Sequence, residues 1–110
     1  MSKPKILIVD DSQLNRELLA CMLEENYDIC EAENGEQAVE ILERCHKDFK
    51  LVLLDLIMPV MDGYQASEAI RALTREDART VPILALTANA FATDIGKAHC
   101  AGMNDHVAKP

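Results

Sequence analysis

No apolar run in this sequence approaches the length of a membrane span, and none is placed like a leader. The opening Met1-Ser2-Lys3-Pro4-Lys5 leads into only Ile6 to Val9 before two aspartates. A signal peptide and a membrane anchor are therefore not expected. Basic charge is also scarce. With 11 Lys and Arg against 19 Asp and Glu, the formal charge of -8 repels phosphate backbones and anionic bilayers. That argues against direct nucleic-acid binding and against a membrane partner. The four cysteines, Cys21, Cys30, Cys45 and Cys100, form no Cys-x-x-Cys pair and have no histidine at zinc-finger spacing. They read as reduced thiols, and the expected compartment is the cytoplasm. Internal repeats, linkers and low-complexity tracts are missing as well, so residues 1–110 read as one domain.

What is present is an alternation. Apolar residues make up 49% of the chain and charged residues 27%, the balance of an ordinary globule. Short apolar runs alternate with amphipathic stretches from end to end, which is the pattern of strand–helix–strand units around a parallel sheet. Lys5 to Val9 is apolar from Ile6 onward, and Leu51 to Leu54 and Ile83 to Leu86 are apolar throughout, as in strands buried on both faces. Tyr27 to Ala32 mixes polar with apolar residues and suits an edge, and His106 to Ala108 is a last short strand. Between them, four-residue spacing assigns sheet-facing stripes to Leu14, Leu18 and Met22, to Ala38, Ile41, Leu42 and Cys45, and to Ala66, Ala69, Ile70 and Leu73. Asp11-Ser12 and Asn34-Gly35 are good chemistry for starting a helix, and Gly102 is a stop after the weak pattern from Phe91 to Ala101. The result is a five-stranded α/β domain. It stops at Pro110, where a further helix would be needed to cover the second sheet face, so the chain reads as truncated before its last helix.

In an open doubly wound sheet, ligands bind beyond the carboxyl ends of the strands. Those ends carry Asp10-Asp11, Asp55, Thr87-Ala88 and Lys109-Pro110. Three carboxylates on one rim repel one another unless a cation sits among them, and hard oxygen ligands favour Mg2+, with Mn2+ as an alternative. With a lysine and a threonine hydroxyl added, the set suits a phosphoryl group, for which Asp55 would be the nucleophile. Taken singly, each piece also fits a helix cap, a turn or a solvated surface position. Their joint appearance at consecutive strand ends is the sharper signal.

The stretches "ILIVDDS", "LVLLDLIMPVMDGY", "ILALTA" and "MNDHVAKP" together resemble the receiver domain of two-component response regulators, and the likeness spans the whole chain. It is also similar to the receivers of hybrid sensor histidine kinases. The resemblance implies a flavodoxin-like receiver fold with strand order 2-1-3-4-5. It makes Asp55 the phosphoacceptor, and Asp10, Asp11, Asp55 and the carbonyl of Ile57 the metal ligands. By the same likeness Thr87 is the switch hydroxyl, Lys109 the partner of the phosphoryl oxygen, Ala88 a small pocket residue, and Lys109-Pro110 a cis bond. Side chains at Ile57 and Asn89 would tune the phosphoryl lifetime. His106 stands where the family usually has tyrosine or phenylalanine. It is a switch ring, and as an imidazole it raises the hypothesis of pH-dependent signalling, against the simpler reading of no pH role.

The implied partners are a sensor histidine kinase or histidine phosphotransfer domain upstream and an effector or fused output domain downstream. An exposed apolar face would also invite self-association. The domain is expected to be a phosphoacceptor that assists its own phosphorylation and dephosphorylation rather than an enzyme. The alternatives are a receiver-like interaction module that takes no phosphate and a magnesium-dependent phosphohydrolase. The latter would need a second aspartate two residues after the first, where this chain has Ile57. His46 and His99 read as solvated, and Met58 as a gap filler beside the site.

Overall fold

The β-branched and leucine-rich runs form strands β1 (Lys5–Val9), β2 (Asp28–Ala32), β3 (Phe49–Asp55), β4 (Ile83–Thr87) and β5 (Asp105–Ala108). Between them lie helices α1 (Gln13–Leu23), α2 (Gly35–Arg44), α3 (Gly63–Arg71) and α4 (Ile95–Cys100). The computed structural model describes residues 3–44, 49–56, 58, 61–73, 79–87 and 95–108. Expectations placed on Cys45, His46, Ile57, Pro59, Ala88, Asn89, Phe91, Lys109 and Pro110 lie outside the described residues.

All strand pairs are parallel, in the order β2-β1-β3-β4-β5. The reversal of winding falls between β1 and β3, which places the crevice beyond the ends of those two strands. The mixed sequence of β2 puts it at one edge, as its polarity requires, and β5 forms the other.

Alternation along the central strands divides the core into two layers. Leu7, Val9, Val52, Leu54, Ile83 and Ala85 face one side, where Ala38 and Leu42 of α2, Ala66 and Ile70 of α3, and Ala98 of α4 pack onto them. Ile6, Ile8, Leu53 and Leu86 face the other side, where Leu19 of α1 covers them. Among the described residues α1 is the helix on this second face, and Val107 at its β5 margin stays 41% exposed.

The phase of α1 corrects the sequence reading. Leu14, Leu18 and Met22 do not face the sheet; they are 66%, 45% and 66% exposed. Leu19 is buried, with Ala20 and Leu23 packed beside it. Two apolar stripes of equal spacing run one residue apart on this helix, about 100° around its axis. Asn15 and Arg16 both bond to Asp10 at the end of β1, and the stripe of Leu19 and Leu23 that follows Asn15 at four-residue spacing packs on the sheet.

Local chemistry sets the helix ends. Ser12 caps α1 by accepting from Asn15 N, and Asn34 Oδ1 accepts from Gln37 N at the start of α2. Asp62 and Gln65 form a reciprocal capping box on α3. At the end of α4, Gly102 has φ of 93°, while Gly102 N donates to His99 O and Met103 N donates to Ala98 O. This is the paired-bond stop that a left-handed glycine allows.

Candidate functional site

Asp10 is the first residue past β1. Its backbone N–H still donates to Ala32 O on β2, so it continues the ladder as the chain turns into α1. The carboxylate is fully buried. Ser12 N donates to its Oδ1 at 2.9 Å, and Asn15 Nδ2 reaches Oδ2 at 3.5 Å. Asp11, next in line, is exposed.

Asp55 ends β3 and is 2% exposed. The strand hands over to α3 tightly: Leu56 N donates to Leu86 O, and Gly63 N returns to Leu56 O at 3.0 Å. Gly63 is needed there, because a Cβ would overlap the Asp55 carbonyl oxygen and lie 2.7 Å from Leu56 Cα. Met58 is buried in the larger core layer beside this turn, as a gap filler should be.

One carboxylate oxygen from each of Asp10, Asp11 and Asp55 lies within 4.8 Å of the other two. At an effective dielectric of about 20, each pair of charges that close repels by roughly 3 to 4 kcal/mol. Two of the three are buried, so water alone screens them poorly. The donor set is all oxygen and anionic, which fits a small hard divalent cation and does not fit a thiol-loving metal.

Thr87 closes β4 on the same rim. Asp55 is in register with Leu86, so the threonine stands one residue beyond the acceptor candidate, and Thr87 is itself in register with Ala108. β5 therefore brings the chain to the rim at the residue before Lys109. His106 is not at the rim. It is in register with Ala85, and its ring is partly buried beside Asp105, with Nδ1 3.6 Å from Asp105 Oδ1. Ala98, His99, Met103 and Asn104 surround it in a shallow cavity. His99 is exposed, and the thiols of Cys21, Cys30 and Cys100 are free.

Three features escaped the sequence reading. Asn15 and Arg16 support Asp10, and their signal was the polar pair at the start of a helix whose other face was already apolar. The Asp62–Gln65 capping box was legible as Asp followed three residues later by Gln. The third is Arg71, at the end of α3, which donates to the carbonyls of Gly102, Arg79 and Val81 and to Asn104 Oδ1. Burial draws its pKa below the ordinary value. Together with Ser67 Oγ donating to Ala101 O at 2.7 Å, it ties α3 to the turn before β5.

The family model for the response regulator receiver domain matches residues 6–110. The chain belongs to this family. It is a receiver domain of two-component phosphorelay signalling. Over 109 residues it is 40% identical to the sensor protein GacS of Pseudomonas syringae pv. syringae, a match that covers 97% of this chain and 12% of that protein. The receiver domain thus spans a small part of that relative's length. Among solved structures, it is similar to the receiver domain of the sensor histidine kinase PA1611 from Pseudomonas aeruginosa PAO1, which has a magnesium ion coordinated in its active-site cleft. That likeness has 41% identity and a TM-score of 0.85, over 99% of this chain and 87% of the other. It is also similar to a chain in the co-crystal structure of the Saccharomyces cerevisiae histidine phosphotransfer protein Ypd1 with the receiver domain of its response regulator Ssk1. There the identity is 32% and the TM-score 0.84, over 99% of this chain and 80% of the other. Strand order and element succession agree with the fold expected from the sequence.

Proposed function

We propose that the receiver domain accepts a phosphoryl group on Asp55 and signals by changing a protein-binding surface. The observation that carries this reading is the convergence of Asp10, Asp11 and Asp55 at the ends of β1 and β3. Asp55, held at a strand end by the Gly63 turn, offers a carboxylate oxygen as nucleophile to a phosphohistidine, and the histidine nitrogen leaves as the acyl phosphate forms. Asp10 and Asp11, with Asp55 and the Ile57 carbonyl, would hold Mg2+, or Mn2+ in its place. When bound, the cation neutralises charge on the phosphoryl oxygens. Lys109 pairs with a phosphoryl oxygen, and Thr87 donates its hydroxyl to another. Ala88 and Pro110 would be small pocket residues beside the phosphoryl group, as the likeness to receivers implies. His106, two residues back on β5 from the partner of Thr87, repacks as Thr87 moves and so alters the face around α4 and β5.

The donor is a sensor histidine kinase or a histidine phosphotransfer domain, a reading supported by the Ypd1–Ssk1 likeness. The receiver of the signal is an effector or a fused output domain, acting in the cytoplasm. Among the described residues no helix is long and apolar enough to cross a membrane. The domain works as a signalling element, with self-phosphorylation and self-dephosphorylation as its own chemistry.

Intact mass after incubation with Mg2+ and a small acyl-phosphate donor tests the reading. A gain of one phosphoryl group that Asp55→Asn lacks is the expected result. A folded, magnesium-binding protein with no gain would refute it and leave an interaction module.

A further inference from the structure

Arg16 lies on α1 and points back at the end of β1. Its Nη1 donates to the Asp10 carbonyl at 2.7 Å, and its Nε meets Glu31 Oε1 on β2 at 3.1 Å. The side chain is 13% exposed. That carbonyl belongs to the peptide joining Asp10 to Asp11, so one planar guanidinium ties the shared peptide of both carboxylates to the edge strand. On its other side the same residue is held by Asp10 N to Ala32 O, again on β2. The arginine sits in a polar cleft with Gln13, Glu17, Glu31, Glu33 and Gln37.

Charge alone does not explain this placement. A fixed cation close to three carboxylates opposes the binding of a second cation there. Its geometry does explain it. Two donors at a fixed angle hold a carbonyl and a carboxylate from two strands at once, which a lysine's single ammonium on a flexible stem does not reproduce. We propose that Arg16 is a positioning residue for the divalent cation: through Glu31 it fixes the Asp10–Asp11 peptide against β2 and so aims both carboxylates into the site. This rests on the reading of the three aspartates as a cation site.

The test is calorimetric titration of Mg2+ into the wild-type protein, Arg16→Lys and Arg16→Gln, each at a temperature where thermal unfolding shows it folded. Outer partners of metal ligands commonly change affinity by 10- to 100-fold. Both variants are expected to bind Mg2+ about tenfold more weakly than wild type. The sign separates the explanations. If Arg16 acts only as a charge, Arg16→Gln binds more tightly and Arg16→Lys is unchanged, and either result overturns the proposal. Arg16→Lys keeps the charge in the cleft, so it remains informative if the glutamine variant does not fold. A wild-type protein that binds no Mg2+ overturns this inference together with the cation site. Magnesium binding that weakens in Arg16→Lys, without phosphoryl gain at Asp55, would refute the phosphoacceptor reading alone.

Discussion

Gly63→Ala should damage the site by packing alone. The added methyl would overlap the Asp55 carbonyl oxygen, lie 2.7 Å from Leu56 Cα and 3.0 Å from the Asp55 carbonyl carbon. All three are backbone atoms at a strand end, so no side-chain rotation relieves the contact. Alanine in the first turn of α3 would itself gain up to about 1 kcal/mol over glycine. Overpacking against a fixed backbone costs roughly 1 to 3 kcal/mol, and more where nothing can yield. The expected net loss is about 1 to 2 kcal/mol, a fall of roughly 4 to 8 °C in Tm per kcal/mol for a domain near this size. The loss has a second reading. Relief of the overlap must move Asp55 or the start of α3, so Mg2+ affinity should fall along with Tm. Thermal unfolding with and without Mg2+, followed by circular dichroism, measures both. A variant with unchanged Tm and an unchanged magnesium-induced stabilisation would show that the turn is slack and that the steric reasoning is wrong.

The phase of α1 gives a paired prediction. Leu19→Ala should cost about 2 to 4 kcal/mol as a core truncation, and Leu18→Ala, one residue away and half exposed, less than about 1 kcal/mol. Urea unfolding of the two variants decides it, and the reverse ranking would restore the stripe of Leu14, Leu18 and Met22. Arg71→Met keeps the apolar stem but removes the donors to three carbonyls and to Asn104. It should lower stability by about 2 to 4 kcal/mol, because two partly buried carbonyls, of Gly102 and Val81, lose a charged partner. A change below about 0.5 kcal/mol in the denaturant midpoint would show that water replaces the guanidinium. Among the described residues Leu14, Leu18, Met22 and Val107 are exposed around the sheet face that α1 covers. The protein should self-associate or unfold at low denaturant. Sedimentation showing a stable monomer with cooperative unfolding would contradict that expectation.

The strands were legible because a parallel sheet buried on both faces demands unbroken apolar runs, and Ile6 to Val9, Leu51 to Leu54 and Ile83 to Leu86 supply them. The acidic rim was legible for a related reason. A chain does not place aspartates directly after buried strands without partners for them, and the fold class fixes where strand ends meet. The helix caps at Ser12 and Asn34, and the stop at Gly102, follow from side chains bonding within four residues, which a one-dimensional reading can follow. The face of α1 was not legible, since Leu14-Leu18-Met22 and Leu19-Leu23 satisfy the same four-residue spacing. The choice is made in three dimensions, where Asn15 and Arg16 bond to Asp10 and Leu19 packs onto Ile6, Ile8 and Leu53. Nor were the Arg71 clamp and the Arg16 bridge. Arg71 meets Gly102 and Asn104 more than thirty residues away, and Arg16 on α1 meets Glu31 on β2. Local pattern and strand-end chemistry thus determined the α/β class and the three carboxylates, while the strand order came from the resemblance to receiver domains. The rotation of a helix and the long-range polar ties that aim those carboxylates belong to the tertiary structure, because each depends on which distant backbone group lies within bonding distance once the sheet has formed.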